Sequence, residues 1–146
     1  MNCDKQLNMP NELTFISDSL FEKVTFDKDG ENWIFSFAEN VYASSSGFWR
    51  LLENNKILFV SLDNDQQFGL PKPIDLVEEL NKILSGQRLK KIDVAKDKYD
   101  LTLTLTHDLT IEIYISSSGY ETYDFSIDGE SYIGLGSGDI AIIDNR

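Results

Sequence analysis

The chain has 146 residues, with 13 Lys and Arg against 25 Asp and Glu, for a formal charge of −12. That length suits one domain, residues 1–146, burying roughly two thirds of its unfolded surface; nine Phe, six Tyr and two Trp exclude a wholly disordered protein. The carboxylate excess argues against nucleic acid and anionic lipid as partners, which need neutralisation by Lys and Arg, and no segment approaches the roughly 20 apolar residues of a membrane helix.

Residues 1–12 are polar and are expected to fray. They lack the basic start and apolar core of a secretory signal. Cys3 is the lone cysteine, so an internal disulfide is excluded and a reducing cytoplasm is the expected location. Leu13 to Leu20 fits a short helix or an irregular strand equally well. From Leu20 a period of two takes over. Leu20 to Phe26 pairs with Trp33 to Phe37 across the Asp27-Lys28-Asp29-Gly30 turn, with Trp33, Phe35 and Phe37 on one face. Val41-Tyr42-Ala43 leads into a turn at Ser44-Ser45-Ser46-Gly47, and Phe48 to Leu52 is the return strand. Asn54-Asn55 turns into Ile57 to Leu62, since Asn tolerates positive φ.

A helix is predicted over 73–85. Pro73 suits its first position, Ile74, Val77, Leu80 and Leu84 form an apolar stripe joined by Leu76 and Ile83, and Gly86 supplies the stop. Strands resume at Leu89 to Val94 and Leu101 to Leu105, and His107-Asp108 turns into Leu109 to Ile115. The serine turn then returns as Ser116-Ser117-Ser118-Gly119, followed by aromatic Tyr120. Tyr120 to Ile127, Ser131 to Ile133 and Ile140 to Ile143 complete the strands, the last after a loop carrying Gly134, Gly136 and Gly138. Val24 to Phe37 matches Ile92 to Leu105 at an offset of 68. The expected architecture is therefore α+β and mainly antiparallel, with two β-meander halves, alike through internal duplication or through chance similarity of two hairpins, flanking one amphipathic helix.

Chemistry is sparse. Asp27-Lys28-Asp29-Gly30 and Asp63-Asn64-Asp65 resemble calcium loops but lack Gly at the sixth position and Glu at the twelfth. One His and one Cys far apart make no zinc site. His107 lies in a turn, and the serine clusters read as hydroxyls capping tight turns. Gly134-Leu135-Gly136-Ser137-Gly138 has no following helix to hold a phosphate. Glu112, Glu121 and Asp124 read as surface charge. No catalytic residue, metal site or cofactor is therefore assigned. Adjacent strand residues face opposite ways, so one of Phe48 and Trp49 belongs to the core. An outward Trp or Tyr beside acids would suit a protein-binding patch, the alternative being a second packed layer.

The runs Phe48-Trp49-Arg50-Leu51-Leu52-Glu53-Asn54-Asn55-Lys56-Ile57 and Gln67-Phe68-Gly69-Leu70-Pro71-Lys72-Pro73-Ile74-Asp75-Leu76, continued by Ser117-Ser118-Gly119-Tyr120-Glu121, resemble a family of small uncharacterised bacterial proteins. That family usually has Trp where this chain has Tyr123, which keeps an aromatic ring. Its members are similar in size and acidity to immunity proteins of contact-dependent or secreted toxin systems. The resemblance implies a non-catalytic cytoplasmic domain that occludes a basic toxin with an acidic surface. Trp49, Asp63, Asp65, Glu121 and Tyr123 are the candidate partner contacts. Two other readings are a small-molecule or regulatory module and a hydrolase using His107 or a carboxylate pair. Free strand edges leave both a monomer and an edge-strand homodimer open.

Overall fold

The computed structural model describes residues 5–6, 13–117, 119–135 and 139–144. The first half carries β1 (Lys5–Gln6), β2 (Leu13–Asp27), β3 (Asn32–Phe37), β4 (Val41–Ser45), β5 (Trp49–Glu53) and β6 (Lys56–Val60). A 3-10 turn (Ser61–Asp63) and helix α1 (Leu76–Leu84) follow. The second half carries β7 (Arg88–Val94), β8 (Leu101–Leu105), β9 (Leu109–Ile113), β10 (Tyr123–Ile127), β11 (Glu130–Leu135) and β12 (Asp139–Asp144). The period of two decides most strands: β3 buries Trp33, Phe35 and Phe37, and β8 buries Leu101, Leu103 and Leu105. Hairpins close on pairs at positive φ, Asn54-Asn55 (51° and 65°), His107-Asp108 (59° and 61°) and Asp128-Gly129 (55° and 81°). Left-handed pairs of this kind match the twist of two-residue hairpins.

The fold is mainly antiparallel β with one short helix among the described residues, and its twelve strands form a single sheet. The order is β1-β12-β11-β10-β4-β3-β2-β7-β8-β9-β5-β6. Strand β2 is the corner: Leu13 to Leu20 pairs with β7, and Phe21 to Asp27 pairs with β3. The sheet thereby folds into two facing layers. Trp49 of β5 meets Trp33 and Phe35 of β3 edge-on, with ring centres 5.2 and 5.3 Å apart. At the other end Phe15 of β2 meets Phe125 and Tyr132 at 5.6 and 4.9 Å.

Outward from the corner, one layer runs β2-β3-β4-β10-β11 and the other β7-β8-β9-β5-β6. Strands β2–β6 and β7–β11 thus occupy equivalent places, and each half contributes its last hairpin to the other half's layer. Register repeats as well. Trp33 faces Ser45 and Phe35 faces Ala43 in one layer; 68 residues on, Leu101 faces Ile113 and Leu103 faces Ile111 in the other. Strands β12 and β1 extend only the first layer.

Buried residues of both layers and of α1 form one core. Leu76, Leu80 and Leu84 make the inward stripe of the helix. It begins three residues later than expected, because Ile74 is held in the preceding loop, its N–H donating to Gln66 O at 2.8 Å. Asp75 is the cap, accepting from Glu78 N at 3.1 Å. The helix stops before Gly86, at φ 81°. Asn81 ties it to β2: Oδ1 accepts from Val24 N at 2.9 Å and Nδ2 donates to Val24 O at 3.1 Å. One side-chain amide thus satisfies backbone groups that would otherwise need a neighbouring strand.

Elsewhere the elements shift modestly. Leu13 to Leu20 is strand, Ser61 and Leu62 leave β6 for the 3-10 turn, and residues 120–122 precede β10 rather than joining it. Lys5 and Gln6 pair with β12; the rest of 1–12 lies outside the described residues. Gly134 sits within β11, while Gly136 and Gly138 lie outside the described residues. No helix among the described residues is long and apolar enough to cross a membrane.

Candidate functional site

Each half passes from one layer to the other at its serine–glycine turn. Residues 46–48 link β4 to β5, and residues 114–122 link β9 to β10. Because β4 pairs with β10 and β5 with β9, the two crossovers run side by side. Ser46 N donates to Thr122 O at 3.0 Å, Tyr114 N donates to Phe48 O at 3.0 Å, and Phe48 N donates to Ser116 Oγ at 3.4 Å. A Cβ at Gly47 would strike the Ser116 hydroxyl, so a larger residue there would displace that side chain and its bond to Phe48 N. In both copies the second serine braces its own turn. Ser45 Oγ accepts from Gly47 N, and Ser117 Oγ accepts from Gly119 N, each at 3.1 Å.

Two clefts adjoin at Ser46. The first, about 560 Å³, is lined by Phe26, Trp33, Phe48 and Leu62 together with Asp65. The second, about 360 Å³, is lined by Asn32, Ser44, Ser46, Glu121, Thr122 and Asp124. Across the β4–β10 pair Asp124 faces Ser44. Ser44 Oγ donates to Asp124 Oδ1, and Tyr42 OH donates to Oδ2 at 3.0 Å. Burial, then the Asp124 charge and its hydrogen bond, push the Tyr42 phenol above its ordinary value. Both donors to Asp124 are neutral, and the carboxylate forms no ion pair among the described residues. Thr122 is 6% exposed, and its hydroxyl has no hydrogen-bond partner among them.

The proposed contacts divide. Trp49 is fully buried between Trp33 and Phe35, and Tyr123 is 3% exposed with its OH donating to Tyr99 O at 2.7 Å. Neither ring can meet a partner, since both serve the packed second layer. Alternation turns Phe48 outward in place of Trp49, where it packs on Tyr114 at 5.6 Å. Asp63 turns back on its own strand, accepting from Val60 N at 2.9 Å. Asp65, exposed at φ 66°, and Glu121, exposed, line the first and second clefts respectively. Asp124 and Thr122 emerge as site residues that sequence reading passed over. Their signal was placement two residues apart, flanking inward Tyr123.

A third groove, about 700 Å³, runs beside the start of α1 and is lined by Phe59, Leu70, Pro71, Pro73 and Ile74 with Asp75, Glu78 and Glu79. The loop that forms it is tied at its base. Asp65 N donates to Ile74 O at 2.9 Å, and Leu76 N donates to Asn64 Oδ1 at 3.0 Å. His107 sits exposed in its hairpin turn, Nδ1 2.7 Å from Gln87 Oε1, outside any cleft described above. No group of three or more His, Cys, Asp and Glu among the described residues is placed to hold a metal ion. No family model matches the chain, and no curated protein or solved structure matches it.

Proposed function

We propose that this chain is a protein-binding domain that neutralises a basic partner by covering it, as an immunity protein covers its cognate toxin in the cytoplasm. One observation carries the reading: large apolar side chains stand exposed beside carboxylates at the crossover end. Leu62 is 73% exposed and Tyr120 80%. Leu62 shares its cleft with Asp65, and Tyr120 directly precedes Glu121. Apolar patches rimmed by polar groups mark protein contacts more often than they occur idly on monomers.

The charge of −12 favours a basic partner and speeds its approach. It also disfavours self-association. The outer edge of β6 is blunted by Lys56, by a register shift opposite Leu51 and Leu52, and by Asp63 capping Val60 N. The chain is on this reading a monomer until it meets its partner.

The test is to look for a toxin domain encoded beside this gene, purify it and mix the two. A stable complex is expected, with an association rate falling about tenfold or more between low and physiological salt. Absence of a complex, together with no gain in toxin sensitivity when the gene is deleted, would overturn the reading. The groove beside α1 favours a second reading, a small-molecule module. A metabolite at about 100 times its Kd would then add about 2.7 kcal/mol to stability, and a broad thermal-shift screen without a hit would remove that reading.

A further inference from the structure

We propose that the cleft around Asp124 receives one basic side chain of the partner, a lysine ammonium or an arginine guanidinium. This deepens the protein-binding reading above and rests on it. Ser44, Ser46, Thr122 and Asp124 share the outer face of the β4–β10 pair. Ser44 lies directly opposite Asp124, and Ser46 N bonds Thr122 O. The Asp124 carboxylate is half-buried between two neutral hydroxyl donors, and no Lys, Arg or His lines the cleft. A carboxylate drawn partly out of water and left without a counter-ion is poorly compensated.

A second observation points the same way. The hydroxyl of Thr122, on the same face two residues from Asp124, is buried and lacks a partner. Buried polar atoms without partners are uncommon, and Thr122 is itself one of the residues lining the cleft. Glu121 adds a second carboxylate at the mouth, exposed and without an ion pair among the described residues.

The fold contains its own comparison. In the other layer β5 and β9 hold the places that β10 and β4 hold here. There Arg50 sits directly opposite Glu112, with its Nε 2.5 Å from Glu112 Oε1. The corresponding pair in the first layer is Asp124 opposite Ser44. One layer therefore neutralises its outward carboxylate with its own guanidinium, while the other presents a carboxylate and a hydroxyl. The missing component is a cation, and the charge-assisted bonds it would make are the stronger class of hydrogen bond.

The experiment titrates the full ¹⁵N-labelled chain with N-acetyl-lysine methylamide and N-acetyl-arginine methylamide. N-acetyl-norleucine methylamide is the neutral control, and n-butylamine the free-amine control. Saturable amide shifts are expected at residues 44–46 and 121–124 with the two cationic side-chain probes, more weakly with n-butylamine, and not with the norleucine amide. Asp124→Asn should weaken that binding by about tenfold. Glu121→Gln, an exposed change that leaves the fold intact, should weaken it about twofold, and Glu22→Gln, exposed on β2 and outside the clefts, should leave it unchanged. Non-saturating shifts spread over all surface acids, or equal binding by Asp124→Asn and wild type, would overturn the proposal. Tighter binding of n-butylamine than of the lysine amide would assign the cleft to free amines and overturn it too. Loss of the toxin complex with cation binding intact would count against the protein-binding reading alone. A toxin complex indifferent to Asp124→Asn would count against this site alone.

Discussion

At Gly134 a single missing methyl group shapes the fold. Gly134 faces Tyr123 across the β10–β11 pair, and a Cβ there would overlap carbons of the Tyr123 ring. That ring is buried and tethered through its hydroxyl to Tyr99 O, so it has little room to yield. Gly134→Ala is expected to cost about 1–3 kcal/mol in urea unfolding. Gly119→Ala, which meets only open space, should cost less than about 0.5 kcal/mol; equal losses would refute the packing argument. The phenols make a second prediction. Burial, then the hydrogen bond to Glu112, raises Tyr114 to about 12, and burial raises Tyr123 as well. Phenols that hold their protons more tightly when folded leave stability whole below the ordinary phenol value of about 10. They withdraw it as pH climbs from there through about 12. Urea midpoints measured from pH 8 to 12 should fall over that window, less steeply in Tyr114→Phe. The inward placement of Tyr123 was readable from its alternation with Phe125 and Ile127. The burial of Trp49 was not, because the layer that covers it comes from β3, which the local pattern of β5 cannot reveal.

Helix α1 separates what is legible locally from what is not. Its apolar stripe and its glycine stop stand in the sequence, since both depend on neighbours within a few residues. Its start does not. Asn64 and Gln66 hold the loop up to Leu76 through hydrogen bonds that skip eight or more residues. The ambiguity of Leu13 to Leu20 has the same origin, because the strand is completed by β7, far along the chain. Asn81→Ala should cost about 1–3 kcal/mol by stranding the Val24 amide. Hydrogen exchange at Val24 should quicken in parallel, and unchanged exchange there would show that Asn81 is not the edge cap. Asp75→Ala removes an ordinary helix cap and should cost about 1 kcal/mol. Of the candidate site, Asp65 was visible as a charged loop residue and Glu121 as an acid close to the second serine turn. The cleft at Asp124 was hidden, because its walls join β4 to β10.

For the whole molecule, the repeated serine turn announced the two-fold arrangement, and hydrogen bonding explains why it recurs. What the repeat did not disclose is that the hairpins following the turns change places between layers. The charge acts at this scale too. A chain at −12 repels itself, so raising salt from about 0.01 M to about 0.15 M, which shortens the screening length from about 30 to about 8 Å, should raise Tm; a fall would show that the ion pairs outweigh the repulsion. The exchanged hairpins also bear on how the protein is born. While it emerges from the ribosome, β4 must wait for a neighbour about 80 residues behind it, and β5 for one about 60 behind. Translation therefore completes the two layers in turn: β5 to β9, with α1, are all present once Ile113 has emerged, ahead of β10 and β11. The layer that holds β4 closes only when β10 and β11 emerge, and until then the nascent β2–β4 face keeps its apolar side chains open to chaperones.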